Sequence, residues 1–189
     1  MKTAKNIFIF WIIIIFLVTF TCLLTYLVTQ QVLRLGANEL PIQFATETSI
    51  KLENGQSVND AIPSETKDIS KSLGTFVMIF DRDKNLIATS AMMGNEEPVY
   101  PKGVLDYVDK MGEDRVTWQP QVGLRFATVA IKIGNKYIVA GRSLQEPERL
   151  IGLIGKIVLL AWLACAAFSS IVLGVIYFFI KRVFNMENH

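Results

Sequence analysis

Histidine and cysteine are nearly absent from this chain. The single histidine, His189, is the last of 189 residues, and the two cysteines, Cys22 and Cys165, sit inside long apolar runs. The remainder has neither the usual general base nor the commonest transition-metal ligand. It has no cysteine for a disulfide framework or a thiolate metal site. A Gly-x-Ser-x-Gly nucleophile elbow is missing as well. No catalytic residues, no metal and no cofactor are therefore expected, and an envelope hydrolase is the least favoured class of function. An excess of positive charge is also lacking. Between Gln30 and Lys156 there are 15 Lys plus Arg against 16 Asp plus Glu, so the formal +2 of the chain comes from its tails. That balance gives no footprint for a nucleic-acid partner.

What the chain does have is two long runs without charge, Ile7–Thr29 and Ile157–Ile180. At about 1.5 Å of rise per residue, each makes a helix of roughly 35 Å, enough to cross a hydrocarbon core of about 30 Å. The expected organisation is a cytoplasmic N-terminus (1–6), a transmembrane helix (7–29), an extracytoplasmic domain (30–156), a second transmembrane helix (157–180) and a cytoplasmic tail (181–189). Lys2 and Lys5 precede the first run, and Lys181 and Arg182 follow the second. By the positive-inside rule both termini face the cytoplasm of a plasma-membrane protein. Arg34, Arg149 and Lys156 at the opposite ends reduce the contrast. A cleaved signal peptide is the rival reading of the N-terminus. The apolar run is too long for one, and bulky residues such as Tyr26, Leu27 and Gln30 stand where small ones would be needed.

Neither run contains an ionisable Asp, Glu, Lys or Arg, which argues against an ion or proton pathway. Ala166, Ser170 and Gly174 recur at i, i+4 and i+8, a small-residue face on which another helix can approach closely. Thr21, Thr25 and Thr29 make a similar stripe on the first run, and pairing of the two spans within the chain is expected to use both.

The segment between the runs has the length of one compact domain. Gln31–Lys51 reads as helix, with Pro41 kinking it or starting a new one. A polar stretch follows, Glu53–Lys71, with Asn54-Gly55 and Pro63, read as loop carrying one or two short helices. Thr75–Phe80 reads as a buried strand, Asp81–Asn85 as a turn, and Leu86–Ser90 as the hairpin partner. Lys102–Met111 is a short helix between Pro101 and Gly112. Three strands follow, Arg115–Gln119, Leu124–Ile133 and Lys136–Arg142, the last two joined by Gly134-Asn135. Glu146–Lys156 then runs as helix into the second span. Several strands are apolar on both faces, so the fold expected is α+β, a five-stranded antiparallel sheet covered on both sides, with a long N-terminal helix.

The run Phe76-Val-Met-Ile-Phe-Asp-Arg-Asp-Lys-Asn-Leu-Ile-Ala-Thr-Ser90 resembles the first hairpin of PAS-like, single Cache-type sensor domains. Arg115-Val-Thr-Trp-Gln-Pro120, Val122-Gly-Leu-Arg-Phe-Ala127 and Ala140-Gly-Arg-Ser-Leu-Gln-Glu146 resemble the outer regions of bacterial two-span sensor histidine kinases. In that family the membrane-proximal helix backs the sheet, and the other face holds a small-ligand pocket. The resemblance implies an extracytoplasmic sensor of a two-component type of signal transduction. Only nine residues follow Ile180, with no phospho-accepting helix or ATP-binding domain. Any message is therefore expected to pass through a partner membrane protein such as a histidine kinase, or through a homodimer.

The residues chosen for a ligand site are Arg125, Trp118, Tyr100 and Arg142. Arg125 shares strand parity with Ala127, Val129, Ile131 and Ile133, an apolar face on which a cation needs a partner. It would clamp a ligand carboxylate through paired hydrogen bonds, or be held by one of the chain's acids. Arg142 alternates with Ile138 and Ala140 and poses the same choice. Trp118 and Tyr100 would line a pocket or simply fill the core. Asp81, Asp83 and Asn85 have the opening spacing of a calcium loop, but Leu86 stands at its glycine position and Met92 at its glutamate, which favours a plain turn. Two functions stay open: a membrane-anchored small-ligand sensor, or a scaffold or accessory subunit using the same domain to dimerise or dock.

Overall fold

The computed structural model describes residues 2–187, with side chains described for 5–182. His189 and the end of the expected cytoplasmic tail lie outside the described residues. The chain divides into two compact units. One is Val32–Arg149, and the other combines Met1–Gln31 with Leu150–His189.

The elements in chain order are α1 (Lys2–Gly36), α2 (Glu39–Glu53), α3 (Val58–Ala61), β1 (Lys67–Asp68), β2 (Phe76–Phe80), β3 (Leu86–Thr89), β4 (Ala91–Met92), α4 (Lys102–Met111), β5 (Glu113–Gln121), β6 (Leu124–Ile133), β7 (Lys136–Ser143) and α5 (Gln145–Glu187). The fold is mixed α+β, and five strands form one antiparallel sheet in the order β3-β2-β7-β6-β5. The helix expected across Gln31–Lys51 is broken at Ala37-Asn38. Pro41 sits in the first turn of α2, where a missing N–H costs nothing because the first four lack helical acceptors anyway. Proline thus starts a helix here instead of bending one. One pairing had no sequence signal: β1 and β4, two residues each, pair in parallel.

The sheet of the 32–149 unit buries both faces, as strands that are apolar on both faces require. One face carries Phe76, Met78 and Phe80 of β2, Tyr137 and Val139 of β7, Phe126 and Ala130 of β6 and Trp118 of β5. They are covered by Leu105 and Val108 of α4 and by Tyr100. The other face carries Val77, Ile79, Ile138 and Ala140, packed against Ala45 of α2 and Ala61 of α3. Each large side chain so buried contributes roughly 1.5–3 kcal/mol. Gly141 is required by this packing. It lies opposite Phe76 across the β2–β7 ladder, and a Cβ there would stand 2.3 Å from the Phe76 ring.

In the other unit, α1 and α5 are each long and apolar enough to cross a membrane. They pack against each other in antiparallel fashion. The Trp11 indole N–H donates to Ser170 Oγ (3.2 Å), that of Trp162 donates to Thr19 Oγ1 (2.8 Å), and Gly155 lies against the Tyr26 ring. These three contacts step eight and then seven residues along both helices, so the pair keeps one register over its length. The half-buried seam on α1 is Ile7, Trp11, Ile15, Val18, Cys22 and Tyr26. The expected threonine stripe is used differently: Thr21 and Thr25 are exposed, and Thr21, Thr25 and Thr29 each donate to a carbonyl four residues back. On α5, Ala166 is half-buried, Ser170 receives the Trp11 bond, and a Cβ at Gly174 would meet open space. The small-residue face therefore contributes Ala166 and Ser170 to pairing within the chain, while Gly174 stays free.

Candidate functional site

The four residues chosen from sequence do not converge. Register decides this. Trp118 pairs with Phe126, and Ala127 pairs with Arg142, so Trp118 and Arg142 stand on opposite faces of the sheet. Arg125, two residues from Ala127, shares the face of Arg142. A pocket built from all four is thereby ruled out by the pleat.

Trp118 and Tyr100 are core residues, 4 % and 3 % exposed. With Phe76 and Phe126 they form a nest of edge-on and tilted rings, with centroids 5.4 Å apart for Tyr100–Trp118, 5.6 Å for Trp118–Phe126 and 5.5 Å for Phe76–Phe126. Such geometry suits the ring quadrupoles. The Tyr100 hydroxyl lies 2.9 Å from Thr128 Oγ1, which in turn donates to the Val116 carbonyl at 3.1 Å. Burial pushes the Tyr100 hydroxyl up to about 12.

Arg125 pairs with Glu148 in the first turn of α5. The two side chains are 42 % and 43 % exposed. The sequence left a ligand clamp and an ion pair open for Arg125; here its guanidinium is engaged by an acid of the chain itself. Arg142 is half-buried and lowers the pKa of Glu146 through its charge, behind the larger effect of the Arg149 hydrogen bond to that carboxylate. Both arginines thus stand near the acids that open α5, where negative charge also suits the helix dipole. The Asp81 carboxylate is occupied by its own turn, accepting from the Asn85 backbone N–H at 2.8 Å and its amide at 3.3 Å.

A polar cleft that the sequence reading missed lies at the other end of the sheet. It measures about 330 Å³ and is lined by Arg82, Asp109, Lys132, Asn135 and Tyr137. Three pieces of chain build it: the β2–β3 turn, the β6–β7 turn and the last turns of α4. Gly112, at φ 82°, ends α4 by donating to Val108, and its own carbonyl accepts from the Lys132 N–H, which fixes helix against strand. Asp109 is the hub. Its Oδ1 accepts from Lys132 Nζ at 2.8 Å and from the Tyr137 hydroxyl at 2.6 Å, and Lys84 Nζ lies 3.5 Å from Oδ2. Lys84 also pairs with Asp106 one turn earlier on α4. The ammonium groups of Lys84 and Lys132 lie 6.0 and 5.9 Å from the centre of the Tyr137 ring, at the outer reach of cation–π attraction.

Charge tuning follows these contacts. The Lys132 hydrogen bond, then that of Tyr137, holds the Asp109 carboxyl down to about 2. The same bonds raise Lys132 and Tyr137, and Asp106 raises Lys84. A signal for this site was present in the sequence. Lys132 interrupts the inward series Phe126, Thr128, Ala130 of β6, an unusual place for an ammonium group. Asp106 and Asp109 stand three apart on one face of α4. Among the described residues, no group of three His, Cys, Asp or Glu side chains is placed to hold a metal ion.

No protein-family model and no curated protein matches the sequence.

Proposed function

We propose that the chain is a two-pass plasma-membrane protein with both termini cytoplasmic, whose 32–149 unit is an extracytoplasmic PAS-like domain that senses a small molecule and signals through a partner membrane protein. The observation that carries this reading is where the sheet meets the second long helix. Strand β7 runs through Ser143 directly into α5, Ser143 Oγ accepts from the Gln145 N–H, and Arg125 of the neighbouring strand holds Glu148 in the first turn of α5. A rearrangement of the sheet therefore has a covalent and an ionic route into a helix long enough to span a bilayer. The layering agrees with the family resemblance: α2 backs one face and α4 covers the other.

A second reading, a scaffold that docks or dimerises without sensing, is favoured by one observation. The face on which such sensors hold their ligand is filled by Trp118, Tyr100, Phe76 and Phe126. The test is thermal unfolding of the full chain in detergent, read by tryptophan fluorescence, against amino acids, organic acids, purines, sugars and inorganic ions. A saturable rise in midpoint supports the sensor. Its absence, together with a crosslinked dimer in membranes, supports the scaffold. Cysteine labelling from either side of sealed vesicles tests the orientation: reaction of a residue in the 32–149 unit only from the cytoplasmic side would reject it.

A further inference from the structure

We infer that the polar cleft between α4 and the two hairpin turns binds a compact oxyanion, a phosphate or a small carboxylate, and that this is the ligand end of the proposed sensor. The inference rests on the sensor reading and on a count of donors and acceptors in the cleft wall.

The charged acceptor is already engaged. Asp109 is the only carboxylate lining the cleft; one oxygen takes two hydrogen bonds and the other faces Lys84. The Tyr137 hydroxyl is spent as a donor to the same carboxylate. What remains is mainly donor capacity, beside the Asn135 amide oxygen and the lone pairs of the Tyr137 hydroxyl. Arg82 carries five N–H groups, and among the described residues it forms no ion pair within 4.0 Å. Lys132 has used one of its three protons on Asp109, and the Asn135 amide adds two more. A molecule filling this space meets an excess of donors, which is the complement of an oxyanion.

Charge points the same way. Among the residues lining the cleft, Arg82 and Lys132 stand against Asp109, an excess of one positive charge. Arg82 is exposed at the tip of the β2–β3 turn, so it can swing onto an arriving anion without breaking a contact. A volume of about 330 Å³ leaves ample room for a phosphate or a small carboxylate. Bulky apolar molecules are disfavoured by a wall made of four polar side chains and the hydroxyl end of Tyr137. An anion bridging Arg82 and Lys132 would also tie the β2–β3 turn to the β6–β7 hairpin, the two ends of strands that lie against each other through β7. Because β7 continues into α5, that clamp acts on the strand that leads to the membrane-length helix.

The experiment uses the full chain in detergent at constant ionic strength, with inorganic phosphate, malonate and acetate as probes and chloride as the control. Thermal midpoint against probe concentration is measured for the wild type, Arg82→Gln and Asp109→Asn. Phosphate or malonate is expected to raise the midpoint saturably. Arg82→Gln, an exposed turn residue, should weaken that binding at least tenfold while leaving the midpoint without ligand unchanged. Asp109→Asn removes the competing carboxylate and should tighten binding several-fold; if that variant does not fold, Lys132→Met serves as a second loss-of-binding variant. Phosphate and malonate curves side by side separate the two oxyanion sources. No saturable shift with any probe overturns the inference, as does a shift that survives Arg82→Gln. A different compound that stabilises the chain regardless of Arg82 leaves the sensor standing and removes the cleft. A chain stabilised neither by these probes nor by any amino acid, organic acid, purine, sugar or inorganic ion overturns both.

Discussion

Gly141 and Tyr100 show how single residues hold this domain closed. A β-strand glycine normally weakens a sheet, and its use at Gly141 is explained by the Phe76 ring, which occupies the space a Cβ would need. Gly141→Ala forces that ring into Trp118 and Phe126, and overpacking of this kind costs about 1–3 kcal/mol. Urea unfolding should show a lower midpoint with an unchanged slope; an unchanged midpoint would mean the ring moves freely and that the core has room for a ligand. Tyr100 makes a complementary statement about the same core. Its pKa is raised from 10.0 to about 12 by burial, so its neutral form belongs to the folded state. The stability it contributes is present below pH 10 and is lost as pH rises from 10 toward 12. Tyr100→Phe loses the hydrogen bond near Thr128, about 0.5–1.5 kcal/mol at neutral pH. It should also make the fall in stability between pH 10 and 12 shallower than in the wild type. An equal fall in both proteins would show that Tyr100 is not buried as described.

At the scale of elements, local chemistry was legible and lateral registration was not. Pro101 and Gly112 bracket α4 with the bounds read from sequence, and Gly134-Asn135 joins β6 to β7 as expected, with Gly134 at φ 53°. Parity along a strand was also readable: Arg125 does share a face with Ala127 and Val129. What could not be read was the phase of one strand against the next, which is set by the pairs Trp118↔Phe126 and Ala127↔Arg142. That is why four residues chosen for one site landed on two faces. The cleft around Asp109 was missed for a related reason, since it gathers residues from α4, β6, β7 and a turn whose proximity only the closed sheet creates. The two long helices obey the same division. Their lengths were plain, whereas the seam is made by Trp11–Ser170 and Trp162–Thr19 and not by the threonine stripe. Within a bilayer such side-chain bonds average about 0.6 kcal/mol and reach about 1.7. A double-mutant cycle of Trp162→Phe and Thr19→Val, read as helix association in a membrane reporter assay, should give a coupling in that range. Zero coupling would remove this bond from the pairing.

For the molecule as a whole, two carboxylates tie separate segments together and contribute most clearly to its response to acid, beside Asp81 and Glu146, which are also lowered. Asp109 joins α4 to β6 and β7, and Asp68 joins β1 to the turn after β4 by accepting from Ser70 and from the Gly94 N–H. Both are held down to about 2, Asp109 chiefly by Lys132 and Asp68 chiefly by the Ser70 hydroxyl. A carboxyl depressed in the folded state adds stability that is complete above its unfolded value, near 4, and disappears as pH falls toward 2. Stability should therefore stay level on acidification to about pH 4 and then drop between 4 and 2. Asp109→Asn should remove part of that drop, because Asp68 continues to titrate in the same window. Both sites are solvent-accessible, so added salt should flatten the curve by screening the Lys132 and Lys84 interactions. Chemical unfolding of the wild type and Asp109→Asn at pH 7, 5, 4, 3 and 2, at low and high salt, measures this. If the two proteins lose stability in parallel, Asp109 is not the hub that binds α4 to the sheet. If only Asp109→Asn is level below pH 4, the acid response belongs to the cleft alone. In that event an anion filling the cleft would meet the same group that controls the fold's response to pH, and phosphate should move the acid midpoint of the wild type to lower pH.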